Sequence, residues 1–177
     1  RTILEIGHVY SCYFSLRHNP KTERLEIIES MPSSRCAAGT GSFIESMALA
    51  RLNFTDFDQF IDESLAADSP VSLASRCAVF GETDLIHKRQ IGVPRDRLAA
   101  GINLAVAYNF ATAIVKGHPL EDQVIFIGGV SENRAVIHFL RQLLDLRDRL
   151  WVPAYNHEMG AIGAALRSER QLDLDEM

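Results

Sequence analysis

The stretch Val124-Ile125-Phe126-Ile127-Gly128-Gly129 constrains this chain more than any other. Four apolar residues without a polar alternate describe a strand in the middle of a sheet, covered on both faces, and such strands belong to sheets with parallel pairing and helices packed on them. The two glycines end the strand sharply. Ser131 follows as a candidate cap, because its short oxygen can accept a free N–H of a first turn, and Val136, Ile137, Leu140, Leu143 and Leu144 then recur at helical spacing. A strand that stops on bare backbone ahead of a capped helix sits at the carboxyl edge of a sheet, where ligands of open α/β folds collect. The same Gly-Gly also fits a turn that is tight for steric reasons alone.

The rest of the chain supplies partners for that strand. From Thr2 to Ile28, Ile3, Leu4 and Ile6, then Tyr10, Tyr13, Phe14 and Leu16, then Leu25, Ile27 and Ile28 describe three antiparallel strands, with a turn at His18-Asn19-Pro20-Lys21. A Gly-rich entry, Gly39-Thr40-Gly41-Ser42, leads into a helix carrying Phe43, Ile44, Met47, Ala48 and Leu52. Thr55-Asp56 caps a second helix, Val71 to Leu73 is a candidate short strand, and Ala78 to His87 reads as a third helix. Pro94 starts a long helix from Arg95 to Val115, closed by Gly117. Trp151-Val152-Pro153 is a short strand, Gly160 to Leu166 a close-packing terminal helix, and residues 167 to 177 an acidic tail. The expectation is an α/β chain in which an antiparallel meander precedes helices and parallel strands.

Composition narrows the function classes. The 177 residues suit one domain, or one lobe of a two-lobed protein. A net charge of −5 disfavours a general nucleic-acid or anionic-membrane binder. No window is expected to cross a membrane, and three cysteines without a leader point to a reducing cytoplasm rather than a disulfide scaffold. The chain opens on Arg1 and runs straight into a strand, which is how a piece of a longer protein begins. Serine-hydrolase and P-loop chemistry lose their main support, since neither GxSxG nor GxxxxGK[ST] occurs, and the six histidines show no HExxH spacing.

Two cysteines precede helices. Cys36, in Cys36-Ala37-Ala38-Gly39-Thr40-Gly41, stands where a helix dipole favours a thiolate and where small residues let backbone approach a ligand. Cys77 stands just ahead of the third helix. Both also fit buried structural cysteines, as Cys12 does within its strand. They are far apart in sequence and identify no metal by spacing. Two thiolates fall short of the four an iron–sulfur cluster or structural zinc usually takes, although a two-fold dimer would supply four.

In order along the chain, Arg35-Cys36-Ala37-Ala38-Gly39-Thr40-Gly41-Ser42-Phe43-Ile44-Glu45, Cys77-Ala78-Val79-Phe80-Gly81-Glu82-Thr83-Asp84, Ala99-Ala100-Gly101-Ile102, Phe126 to Asn133, and Gly160 to Leu166 resemble the activator component of 2-hydroxyacyl-CoA dehydratases and the related ATPase subunits of benzoyl-CoA reductase. The resemblance runs from about Thr2 to Leu166. It implies a ribonuclease-H-like lobe of the actin and heat-shock ATPase superfold, the second of two lobes that hold ATP or ADP with Mg2+ between them. It implies a homodimer with one [4Fe–4S] cluster on its axis, held by Cys36 and Cys77 of each subunit. Gly128, Gly129, Val130 and Asn133 match the adenosine-binding turn, Gly39, Thr40 and Gly41 the ribose side, and Glu82 a further nucleotide-side position. The implied activity is ATP-driven delivery of one low-potential electron to an iron–sulfur dehydratase or reductase partner, because nucleotide contacts that differ between two conformations can supply the free energy that such an electron needs.

The sequence departs from that pattern in two places. Where the family carries a Gly-Gly-Gln-Asp-Ser-Lys phosphate turn, Glu5-Ile6-Gly7 runs directly into His8-Val9-Tyr10, and the first lobe's Asp-x-Gly-Ser/Thr turn is missing. The chain alone is therefore not expected to hydrolyse ATP. Two alternatives remain open: a non-catalytic dimerisation, iron–sulfur or regulatory module of a larger protein, and a small-molecule kinase lobe of the same superfold.

Overall fold

The computed structural model describes residues 1–33 and 37–167, so Cys36 and the expected acidic tail lie outside the described residues. A five-stranded sheet in the order β3-β2-β1-β4-β5 organises the chain. β1 (Thr2–Ile6), β2 (Ser11–Asn19) and β3 (Arg24–Pro32) form the expected antiparallel meander, and β4 (Val124–Ile127) and β5 (Leu150–Trp151) extend it by parallel pairing. Parallel neighbours need long crossovers, and helices provide them. α1 (Gly41–Glu45), α2 (Phe57–Ala66), α3 (Ala78–Gln90) and α4 (Arg95–Asn109) lie between β3 and β4 in the chain, α5 (Arg134–Leu143) joins β4 to β5, and α6 (Met159–Arg167) follows. Both α1 and α4 run on into wider π-helical turns, Ser46–Arg51 and Phe110–Val115.

Alternation along the strands decides where the core sits. Leu4, Ile6, Val124 and Phe126 are fully buried on one face, in the main core, whereas Ile3, Glu5, Ile125 and Ile127 are half-buried on the other. β4 is thus covered on both faces, as expected, but more completely on the inner one. α6 crosses the outer face but stands off it: a Cβ built at Gly160 or Gly163 meets nothing within 4 Å. The small residues of α6 therefore make no close helix packing among the described residues. Cys12 is fully buried on the outer face opposite Glu5, in keeping with a structural cysteine.

α4 is the helix on which the core is built. Leu98, Ala99, Ala100, Ile102, Ala105, Val106 and Ala107 are all buried, as in a helix that is apolar around its circumference. Together with its π-turn, the run Arg95–Val115 is long and apolar enough by composition to cross a membrane, contrary to the sequence expectation, but most of it is buried inside the fold. The segment Val71 to Leu73 does not join the sheet, a second correction. Pro70 lacks an N–H, and the Val71 N–H donates to the Arg97 carbonyl at 3.1 Å, so this segment is tied to α4 instead of a ladder. It crosses α4 at Gly101, where a Cβ would lie 2.5 Å from the Val71 carbonyl oxygen.

This packing generates two predictions. Alanine at position 101 would gain about 1 kcal/mol in helix propensity. The obstacle is hydrogen-bonded backbone, however, so Gly101→Ala is expected to destabilise by about 1–3 kcal/mol, seen as a lower urea midpoint at unchanged slope. Burial on the outer face pushes the Glu5 carboxyl up from its ordinary value. The ionised form is then disfavoured in the folded chain above that raised value, and the penalty vanishes below the ordinary carboxylate range, where folded and unfolded states are both protonated. Glu5→Gln should raise the melting temperature at neutral pH and leave it unchanged at about pH 3.

Candidate functional site

β1 and β4 run in parallel and end side by side, each on a glycine. After β1, the Gly7 N–H donates to the Tyr10 carbonyl at 2.7 Å, closing a tight turn into β2. After β4, Gly128 adopts φ +87°, and a Cβ there would sit 2.5 Å from the Ile6 carbonyl oxygen. Only glycine satisfies both the left-handed backbone and that approach. Its N–H donates to the Asn156 carbonyl at 3.1 Å, and the chain then winds through the short 3₁₀ turn Gly129–Glu132 before α5 starts. The cap of α5 is Asn133, not Ser131: the Asn133 side-chain oxygen accepts the Ala135 and Val136 N–H groups at 3.0 and 3.2 Å. Ser131 lies inside the 3₁₀ turn, and its buried hydroxyl finds no partner among the described residues.

A cleft of about 620 Å³ opens against this edge. Gly129, Val130, Glu132 and Asn133 form one wall. Thr55, Asp56, Phe57, Asp58 and Ile61, at the start of α2, form the other, and His8, Gly41, Ile44, Glu45 and Leu49 complete the lining. Its apolar side chains suit a flat base or sugar, and bare backbone at Gly129 permits close approach, whereas at Gly41 Val130 and the Gly7–His8 turn already fill the place of a side chain. Two pairs border it: His8 Nδ1 lies 3.5 Å from Glu45, and His157 Nε2 lies 2.5 Å from Glu132. The first amides of α1 do not point into open space, as its Gly-rich entry suggested. The Gly41 N–H donates to the Gly7 carbonyl at 2.9 Å and the Ser42 N–H to that of His8 at 2.7 Å, so the β1–β2 turn occupies the helix start.

Of the predicted nucleotide residues, Gly41, Gly129, Val130 and Asn133 line this cleft together. Gly128 stands just behind it as the hinge from β4. Gly39 and Thr40 are buried beneath it, with Gly39 packed so tightly that a Cβ would lie 2.4 Å from the Asn109 side-chain oxygen. Glu82 stands apart, on α3, in an ion pair with Arg51. The α2 wall went unread in the sequence, where Thr55-Asp56 carried only a capping signal. Asp56 does cap α2, accepting the Asp58 N–H at 2.9 Å.

Cys77 is half-buried at the N-terminal boundary of α3 and makes no capping hydrogen bond. Val79 and Phe80 beside it are 67% and 66% exposed. Among the described residues no three potential metal ligands come together. Of the described cysteines, Cys77 thus presents its sulfur beside an exposed apolar surface, while Cys12 is buried.

A comparison with known families matches residues 1–168 to the BadF/BadG/BcrA/BcrD ATPase family. The activator of lactoyl-CoA dehydratase from Anaerotignum propionicum is 33% identical over 172 residues, covering 94% of this chain and 60% of its own length. A benzoyl-CoA reductase subunit from Thauera aromatica is 29% identical over 170 residues, covering 94% of this chain and 57% of its own. Among solved structures, the activator of 2-hydroxyisocaproyl-CoA dehydratase from Clostridium difficile with bound ADPNP superposes with a TM-score of 0.80 at 28% identity, over 94% of this chain and 58% of that one. The chain therefore spans somewhat under two thirds of the length of these relatives. With the family model matched along nearly all of its length, the chain belongs to the BadF/BadG/BcrA/BcrD ATPase family.

Proposed function

We propose that this chain is the nucleotide-binding, cysteine-bearing lobe of an ATP-dependent activator of an acyl-CoA dehydratase or reductase component. The observation that carries the reading is the cleft in which Gly41, Gly129, Val130 and Asn133 converge at the carboxyl edge of β1 and β4. Bare backbone at Gly129 accepts a flat base or ribose, and Ile44, Leu49, Ile61 and Val130 exclude water around it. ADPNP bound in the related activator supports a nucleotide ligand, and in this reading Mg2+ would accompany the phosphates of ATP or ADP here. α1 carries Gly41 into the cleft and packs its Phe43 ring against Gly81 of α3, where a Cβ would lie 3.0 Å away. Movement of α1 on nucleotide exchange would thus press on the helix that begins at Cys77.

In this reading Cys36 and Cys77 from each of two copies hold a [4Fe–4S] cluster, and the exposed Val79 and Phe80 lie where the copies meet. Such a cluster supplies one-electron chemistry at low potential. The chain's own part is to present Cys77 at the start of a rigid helix and to tie that helix to the cleft. The partner is an iron–sulfur dehydratase or reductase component, and the setting a reducing cytoplasm. A second reading, a non-catalytic dimerisation, iron–sulfur or regulatory module of a larger protein, draws on the Gly7–Tyr10 turn. That turn is too short for a phosphate loop, and its neighbours' carbonyls take the first amides of α1.

Two experiments test the proposal. Calorimetric titration of the chain with MgADP should show binding that Gly129→Val weakens by at least about ten-fold. A Cβ at Gly129 meets nothing nearer than 3.8 Å, so the variant should keep its melting temperature. Equal affinity in the two proteins would remove the cleft from the nucleotide site. Anaerobic reconstitution with iron and sulfide should give about four iron per dimer. Cys77→Ala and Cys36→Ala should each lose that iron together with the dimer, whereas a metal-free monomer from the unaltered chain would sink the electron-transfer role.

A further inference from the structure

We infer that Asn103, which does not line the cleft, is the positioning residue that fixes the cleft's two walls relative to one another; the inference rests on the nucleotide reading of that cleft. Asn103 has no exposed surface and sits in the middle of α4, among leucine, isoleucine, valine and alanine. A side-chain amide placed there must find partners for two N–H groups and an oxygen. Its Nδ2 donates to Ser64 Oγ at 3.1 Å and to the Ala99 carbonyl at 3.2 Å, and its Oδ1 accepts from Asn133 Nδ2 at 2.8 Å. All three polar functions are spoken for, so one amide orientation is selected.

Of the two side-chain partners, Asn133 is in one wall and Ser64 is on α2, the helix whose start forms the other. Asn133 closes the Gly129–Glu132 turn, its N–H donating to the Val130 carbonyl at 3.0 Å, and its side-chain oxygen is committed to the first amides of α5. Its Nδ2 carries two N–H groups, and Asn103 accepts one of them. Ser64 lies near the end of α2, the helix whose first turn supplies Asp56, Phe57 and Asp58 to the facing wall. Because α2 is a continuous ten-residue helix, holding Ser64 also holds its first turn. A single buried amide on α4 therefore reaches both walls from beneath. The other described side-chain link between them, Arg134 to Asp62 at 2.9 Å, is solvent-exposed and contributes little. Leucine, close to asparagine in shape, would fill the same space with no directional demand. Satisfied buried polar networks rigidify what they join, and that is what a site built mostly of backbone and apolar contacts needs.

The test compares Asn103→Leu with Ile102→Ala, a substitution of the buried neighbour on the same helix. Both should lower stability. In Asn103→Leu, ADP measured by calorimetry should bind about ten-fold more weakly, and the Ala135 and Val136 amides should exchange with solvent faster. Ile102→Ala should keep its ADP affinity within about two-fold of the unaltered chain. Ser64→Ala, which cuts only the α2 arm, should give an intermediate loss of affinity, and it carries the comparison if Asn103→Leu fails to fold. Equal losses of affinity in the two α4 variants, or none in Asn103→Leu, would reduce Asn103 to a core residue. Failure of the unaltered chain to bind ADP would instead overturn the nucleotide reading. Amide exchange then judges the positioning role alone, and unchanged protection at Ala135 and Val136 in Asn103→Leu would overturn it.

Discussion

The parallel pairing of β1 with β4 is the contact on which the rest of this lobe depends. It brings two strand ends to one edge, and it draws the backbone after β4 so close to Ile6 that a side chain at position 128 has nowhere to go. Parallel pairing also demands a long crossover, and here four helices lie in the chain between β3 and β4. Since β1 is already paired on its other side with β2, the crossover helices must gather on the faces of the sheet. The cleft forms where α1 and α2 meet the edge that the two glycine-ended strands define.

Polar and apolar parts divide the work within that arrangement. The core face of the sheet and most of α4 are aliphatic, which gives stability without direction. Direction comes from a few amide side chains. Asn133 ties the turn after β4 to α5, and Asn109 Nδ2 donates to the Ser75 carbonyl at 2.6 Å, two residues ahead of Cys77. The same Asn109 lies against Gly39, so its contacts join the segment that follows Cys36 to the one that precedes Cys77. Contacts of this kind require specific residues at specific positions, and Gly39 and Gly101 are glycines because neighbouring groups already fill the place of a methyl.

Much of the fold was legible in the sequence because its signals are local. Val124 to Ile127 had to be an inner strand, the β1–β3 meander carried its own turn residues, and the helices over 57–66, 78–90 and 95–109 showed apolar spacing with caps or breakers. What was not legible depended on contacts distant in sequence. Val71 to Leu73 has strand-like composition, but its N–H is claimed by Arg97. Ser131 is a good cap in isolation, yet the chain after Gly128 first turns as a 3₁₀ helix and so hands the cap to Asn133. Half of the nucleotide-matching residues were recognisable as a glycine-rich edge, whereas the α2 wall carried no local signature, because Phe57 and Ile61 became cleft residues only when α2 docked beside α5. Glu82 was drawn toward the nucleotide by its place in a motif, and its partner turned out to be Arg51.

The border of the cleft carries a further consequence. Glu45, Glu132, Asp56 and Asp58 all line it, while the first amides of α1 are already engaged by the Gly7 and His8 carbonyls. On the proposed nucleotide reading, this lobe would meet a polyphosphate with more negative charge than it neutralises, and the repulsion would act over the Debye length of about 8 Å at physiological ionic strength. A bare nucleotide tetra-anion would then be turned away more strongly than its magnesium complex. Dissolved salt, which weakens most protein–phosphate encounters, would here ease the approach by screening carboxylates.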